Sequence, residues 1–204
     1  MESPVQLVIR TLATGGDAVG HPSGDETPST WFVADALPGE RVLAESVRAA
    51  RKHVIGRVLE VLEPSAQRVV PPCPLEGICG GCGWQHIEVR AQHELKRVIV
   101  RDALRGLGVE PVLGPNPGGD GLNYRRRARL HYRKQDGELV LGFHRRRSGE
   151  VIDVPRCPVL VPALAHAVAR LRRVADVLPA EGEVLGLAEG KQAILGLPGV
   201  RPVP

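Results

Sequence analysis

Three of the four cysteines, Cys73, Cys79 and Cys82, stand within ten residues in the stretch PPCPLEGICGGCGWQH, and the fourth, Cys157, follows after 74 further residues. Thiolates are the natural ligands of zinc and of iron–sulfur clusters. Structural zinc sites usually pair two short C-x2-C units, whereas this chain has one C-x2-C, one cysteine upstream of it across five intervening residues, and one remote cysteine. Both outer cysteines precede a proline, and Gly77, Gly80, Gly81 and Gly83 would let backbone N–H groups approach a cluster's sulfides. The pattern favours a [4Fe–4S] cluster held by Cys73, Cys79, Cys82 and Cys157. Zinc on the same ligands, or a Cys79/Cys82 redox pair, are the other readings.

A second constellation is electrostatic. The net charge of +4 is unevenly placed: residues 1–64 hold six Lys/Arg against nine Asp/Glu, while residues 124–147 hold nine against two. From Tyr124 the pattern has a period of two, which places Arg125, Arg127, Arg129, His131 and Arg133 on one face of a strand and Ala128, Leu130 and Tyr132 on the other. The Asp-Gly pair in QDGE predicts a hairpin, which brings Arg145, Arg146 and Arg147 beside that ladder, toward its Tyr124–Arg127 end. Arginine binds phosphate through two parallel hydrogen bonds and stacks on bases. So concentrated a positive segment points to a nucleic-acid contact rather than to a solvated face.

These residues need a frame. Short β-type runs such as VQLVIR, WFVAD, RVLAESV and HVIGRVLEVLE, separated by Gly/Pro turns and the polar loop HPSGDETPST, predict a small antiparallel barrel over residues 1–63. Residues 64–72, with three prolines, read as an extended linker. Residues 73–204 form the second domain. It contains a helix over 88–108 with Ala91, Leu95, Val98, Ala103 and Leu107 at helical spacing, stopped by Gly106 and Gly108. The basic hairpin follows, then VIDV as a third strand, a second helix through ALAHAVARLRRVADVL, and a final hairpin of EVLGL and QAILGL.

Other function classes find no support. No apolar run is long enough to span a membrane, and the N-terminus does not read as a secretory signal, which together suggest a cytoplasmic location. There is no Walker motif and no G-x-G-x-x-G between a strand and a helix, so no nucleotide or methyl-donor site and no catalytic residue is assigned. Aromatic residues make up 3% of the chain, fewer than a surface relying on base–aromatic stacking would carry.

Taken together, the motifs resemble those of the bacterial RNA (uracil-C5-)methyltransferases that carry a TRAM domain and a [4Fe–4S] cluster. FVADALPGERV is similar to the TRAM signature, and EVLEPSAQRVVPPC to the passage out of that domain. CPLEGICGGCGWQH resembles the cluster loop and QHELKRVIVRDAL the helix after it. YRRRARLHY and LGFHRRRSGEVIDVPRCP resemble the central domain. The resemblance implies a mainly β fold with some α: an OB-like TRAM barrel, then an α+β iron–sulfur domain with an antiparallel sheet. It implies that the four cysteines ligate the cluster and that the partner is RNA, rRNA in preference to tRNA. It also implies that S-adenosylmethionine, the attacking cysteine and the carboxylate base belong to a C-terminal Rossmann domain. That domain is absent from these 204 residues, so the chain is expected to be inactive alone, and a separate catalytic chain could complete it. A weaker RNA patch is expected on the barrel at Arg48, Arg51, Lys52 and Arg57. A stand-alone RNA-binding module is the alternative function, and a C-x-x-C or zinc protein a more distant one.

Overall fold

The computed structural model describes residues 3–24, 29–105, 107–115 and 118–200. Contacts divide the chain into two compact units, Met1–Pro71 with Gly83–Pro117, and Pro72–Cys82 with Gly118–Pro204. The segment after the cysteine loop, drawn from sequence into the second domain, thus clusters with the barrel.

In the first unit, strands β1 (Val5–Leu12), β2 (Ala18–Pro22), β3 (Thr30–Val33), β4 (Arg41–Ala49) and β5 (His53–Glu63) close a barrel in the order β1-β2-β3-β5-β4. This mainly β architecture is consistent with an OB-like domain. All pairings are antiparallel except β3 with β5. Alternation drives burial: Leu7 and Ile9 point inward, and a register shift between Ile9 and Thr11 then lets Leu12 point inward in place of Thr11. Trp31, Val33, Val42 and Ala44 complete the core. β2 is a strand where the sequence reads as a turn, because barrel closure supplies it a partner on either side. Residues 25–28 of the polar loop lie outside the described residues.

Residues 64–71 are pinned rather than free. Glu40 is fully buried, and both of its oxygens are taken by Arg68, at 2.6 Å to Nε and 2.8 Å to Nη2. The Leu37 and Ser65 amides donate to the same carboxylate at 2.8 and 3.1 Å. Burial alone would raise the Glu40 pKa, but Arg68 and these amides outweigh it and hold the carboxyl below its ordinary value. The Val69 amide donates to the His86 carbonyl and the Glu88 amide to that of Gln67, so this run continues the unit's hydrogen bonding.

Helix α1 (Val89–Arg105) begins where the Glu88 carboxylate accepts the Ala91 amide at 2.9 Å. Its inward face is Ala91, Leu95 and Ile99, at steps of four. Val98, Ala103 and Leu107, expected on that face, are exposed; the stripe is centred on Leu95, so Val98 and Ala103 fall about 60° and about 80° to its two sides, and Leu107 lies past the helix end at Arg105. Gly108, at φ +68°, ends the turn after the helix, while Gly106 lies outside the described residues.

In the second unit β6 (Arg127–Gln135), β7 (Glu138–Gly142), β8 (Glu181–Glu189) and β9 (Gln192–Gly196) form an antiparallel sheet ordered β7-β6-β8-β9. Helix α2 (Pro162–Arg172) starts with proline in its first turn and packs its Leu164, Val168 and Leu171 on one face of the sheet. Gly186 makes this possible, since a Cβ there would lie 2.6 Å from Leu164 Cδ1. Leu130, Tyr132, Leu141 and Val184 fill the space beneath.

The expected strand VIDV does not form as such. Val151 makes one bridge to His144, and the Ile152 and Val154 amides donate to the Phe143 and Leu141 carbonyls at 3.0 Å each. The Leu141 amide goes instead to the Asp153 side chain at 3.0 Å, where a ladder would offer a main-chain carbonyl. Arg172 holds that carboxylate at 2.8 Å, so the segment remains an irregular edge.

Candidate metal centre and basic sheet face

The cysteine loop is shaped by its own turns. The Glu76 amide donates to the Cys73 carbonyl at 3.1 Å and the Cys79 amide to that of Leu75 at 2.8 Å. The loop then pairs with the segment after β7. The Gly80 amide reaches the His144 carbonyl and the Arg146 amide reaches that of Ile78, each at 2.9 Å. Two arginines brace it through side chains: Arg125 Nη2 donates to the Gly81 carbonyl at 2.7 Å and Arg146 Nη2 to that of Cys82 at 3.3 Å. Cys157 opens a turn held to the other side of the same residue, since the Arg125 amide donates to the Val159 carbonyl and the Val161 amide to that of Arg125.

Residues far apart in sequence therefore meet around Arg125. Cys73 is buried, the other three cysteines are half-buried, and all four are free thiols. Burial pushes the Cys79 thiol up; the Gly81 amide opposes this, and the adjacent Cys82, Cys157 and Cys73 push further upward. Burial likewise pushes Cys157 up, against the Val159 and Leu160 amides and the Arg125 cation. Four mutually interacting thiols with main-chain donors at two of them form a coherent soft-metal donor set, and they fit a thiolate-bound metal group. A tetrahedral zinc at Zn–S of about 2.3 Å needs sulfurs roughly 3.8 Å apart. Among the described residues, no three of the four sulfurs lie within 4.8 Å of one another.

The basic strand has the expected alternation, with Leu130 and Tyr132 buried and Arg127 and Arg129 exposed. Its cations have different partners. Arg125 is half-buried, braces the cysteine loop, and lies 5.8 Å from the Phe143 ring centroid. His131 faces Glu183 at 3.8 Å and stacks on His144 with ring centroids 3.9 Å apart. Burial first, then His144 and Arg129, lower its pKa against the opposing effect of Glu183. Arg133 stands opposite Glu181 in the sheet. Arg145 is paired with Glu150 at 2.6 Å, and Arg146 reaches Cys82. Arg147 turns the chain at φ +57°. The side chains of Arg127 and Arg129 make no hydrogen bond or ion pair among the described residues.

Of the arginine triplet, Arg145 and Arg147 lie beside Arg129 and His131, while Arg146 reaches the Cys82 carbonyl, next to the Gly81 carbonyl that Arg125 holds. Arg129, His131, His144, Arg145 and Arg147 share an open cleft of about 320 Å³ with Gly80 and Gly81. On the barrel, Arg48, Arg51 and Lys52 are exposed around the β4–β5 turn, while Arg57 pairs with Glu45. Sequence reading missed the neighbours on β8, where Glu181, Glu183, Leu185 and Leu187 face the basic strand in register. Their alternation is visible in EGEVLGLAE, but only strand pairing shows which cation each one meets.

The structure thus combines a closed five-stranded barrel with an α+β unit in which four thiols gather beside an arginine-bearing sheet. Its relatives are specific. The chain is 40% identical over 181 residues to a 23S rRNA (uracil(1939)-C(5))-methyltransferase RlmD of Halomonas elongata, an alignment covering 88% of this chain and 37% of that protein. It is 36% identical over 200 residues to the RlmD of Bordetella parapertussis, covering 93% of this chain and 41% of the relative. The chain belongs to the RNA (uracil-C5-)methyltransferase family, and it spans about two fifths of the length of these curated relatives. A solved structure, Pyrococcus abyssi tRNA (uracil-54, C5)-methyltransferase in complex with S-adenosyl-L-homocysteine, shares the fold with a TM-score of 0.63. It is 21% identical, and the match covers 95% of this chain and 45% of that one. No protein-family model matches the chain.

Proposed function

We propose that this chain is the RNA-binding, [4Fe–4S]-holding part of an S-adenosylmethionine-dependent RNA uracil-C5 methyltransferase that acts on rRNA in preference to tRNA. In this reading the barrel is a TRAM module over residues 1–63, the segment 64–72 leads out of it, and residues 73–204 carry the iron–sulfur domain. Cys73, Cys79, Cys82 and Cys157 would hold the cluster. Such a group would supply a rigid anionic centre linking the cysteine loop to the Cys157 turn, with no electron transfer required of it. Arg127 and Arg129 would contact RNA phosphates, with Arg147 and the cleft beside it as a second contact area. With all four cysteines assigned as ligands, the attacking thiol, the base and the methyl donor would be provided by a region other than these residues.

The observation that carries this reading is the convergence of four thiols, separated by up to 84 positions in sequence, around Arg125 at the edge of the arginine-bearing sheet. The ligand spacing, one C-x2-C with one near and one remote cysteine, supports the cluster over a single zinc. Protein purified without oxygen should show a broad absorption near roughly 400 nm and about four irons per chain. A colourless protein carrying one stoichiometric zinc would overturn the cluster assignment while leaving the RNA assignment to be judged by binding.

A further inference from the structure

The outward face of the β7-β6-β8-β9 sheet, opposite α2, is not uniform. Pairing sets Arg133 opposite Glu181 and His131 opposite Glu183, so that half is close to neutral. The other half sets Arg129 opposite Leu185 and Arg127 opposite Leu187, and β9 adds Gly196 beside Leu185 and Ile194 beside Leu187. Leu185, Leu187 and Ile194 are 41%, 52% and 72% exposed. At Gly196 a Cβ would meet nothing nearer than 3.8 Å, so the surface there is open. An open groove of about 500 Å³ runs over Arg127, Arg129, Leu185 and Leu187. A solvated sheet face normally alternates polar residues outward. Contiguous exposed aliphatic groups rimmed by charge mark an interaction site.

From this juxtaposition, which rests on the RNA reading above, the geometry points to a shelf for unpaired nucleotides. Arg127 and Arg129 take the phosphates, and the planes of the unstacked bases lie on Leu185, Leu187 and Ile194. The occupant has to offer negative charge and a flat apolar surface within the width of three strands, about 10 Å. A single-stranded nucleotide segment offers both, whereas a duplex hides its base faces within the stack. Two guanidiniums with no hydrogen bond or ion pair among the described residues supply the charge complementarity. Aliphatic side chains give a base contact that is weaker than aromatic stacking and indifferent to base identity.

The test uses the full chain and fluorescence anisotropy with a single-stranded RNA of about twelve nucleotides and a duplex of the same sequence. Leu187→Thr with Ile194→Thr keeps β-forming side chains at exposed positions, so the core is untouched. This variant is expected to bind the single strand about five- to tenfold more weakly, with the duplex affinity and the salt slope unchanged. Arg127→Ala with Arg129→Ala should weaken both ligands and reduce the slope of log K against log salt by about 1.4 for the single strand. Single-strand affinity unchanged in the Leu187/Ile194 variant, with the arginine variant impaired, would refute the shelf and leave the RNA reading standing. If that unchanged affinity came with loss of a dimer seen by light scattering in the original protein, the shelf would be a protein interface. Absence of RNA binding by the unsubstituted chain would refute both readings.

Discussion

Replacing Arg68 with alanine tests whether the Glu40 pair fixes the barrel to the segment that leads away from it. The substitution removes two charge-assisted hydrogen bonds, at 2.6 and 2.8 Å, from a carboxylate with no solvent exposure. It leaves only the Leu37 and Ser65 amides to hold the charge. Breaking a buried pair from one side costs about 3–5 kcal/mol. The Arg68 side chain is 22% exposed, so water reaches part of the gap and the lower end, about 3 kcal/mol, applies. For a unit of roughly a hundred residues this lowers the melting temperature by at least about 12 °C. The pH dependence gives an independent check. In the intact protein the Glu40 carboxyl is held below its ordinary value of 4.5, so its contribution is present above that value and is lost as pH falls through the lower folded value. In the variant, burial is opposed by the amides alone and raises the Glu40 pKa, so acid neutralises the stranded charge. The cost should therefore shrink between pH 7 and pH 4. Urea unfolding followed by tryptophan fluorescence reads the right unit, because Trp31 and Trp84 both pack in the barrel unit's core. A loss below about 0.5 kcal/mol at pH 7, within the usual range for a surface change, would refute the reasoning, as would a cost that is the same at both pH values.

Two further outcomes are expected. Cys157→Ser should lower the iron content and increase amide exchange through β6, β8 and α2, because it removes the ligand that ties the second unit's distant turn to the cysteine loop; unchanged iron and exchange would exclude Cys157 as a ligand. His131→Gln should leave the RNA affinity and its salt slope unchanged at pH 7.5, since burial, His144 and Arg129 keep the imidazole neutral below its ordinary value of 6.5. A slope reduced by about 0.7 would show a charged His131 on phosphate.

The sequence makes the local features legible and leaves their partners obscure. Strand period and the Asp-Gly turn locate β6 and β7, and the heptad-like apolar spacing locates α1, because these signals are written within a dozen residues. The cysteine spacing already suggests a shared site, since no short-range structure requires three thiols in ten positions. Three features depend on pairing across the chain and are therefore hidden. Glu40 reads as an ordinary turn residue in LPGE until Arg68 is placed upon it. β2 looks like turn chemistry until two neighbouring strands claim it. The arginine ladder looks uniform until β8 supplies an acid to one half and leucines to the other.

That last division changes how the charge of residues 124–147 is understood. Clustered guanidiniums repel one another, and a protein partner or solvent offsets that repulsion. Arg125 and Arg146 find theirs in the carbonyls of Gly81 and Cys82, and Arg125 also favours the thiolate form of Cys157. Arg145 finds Glu150, and Lys134 caps the turn after α2 by donating to the Leu178 carbonyl at 2.6 Å. These cations are committed to folding the second unit and to offsetting the charge that four thiolates would bring. Arg127 and Arg129 remain exposed and have no such partners among the described residues, on the half of the sheet where β8 presents leucines instead of glutamates. A charge block that looks like one polyanion site thus separates into cations that brace the thiol-bearing loops and cations that make no such bond among the described residues, and Arg125 marks the boundary because its backbone and its side chain hold those loops from both sides.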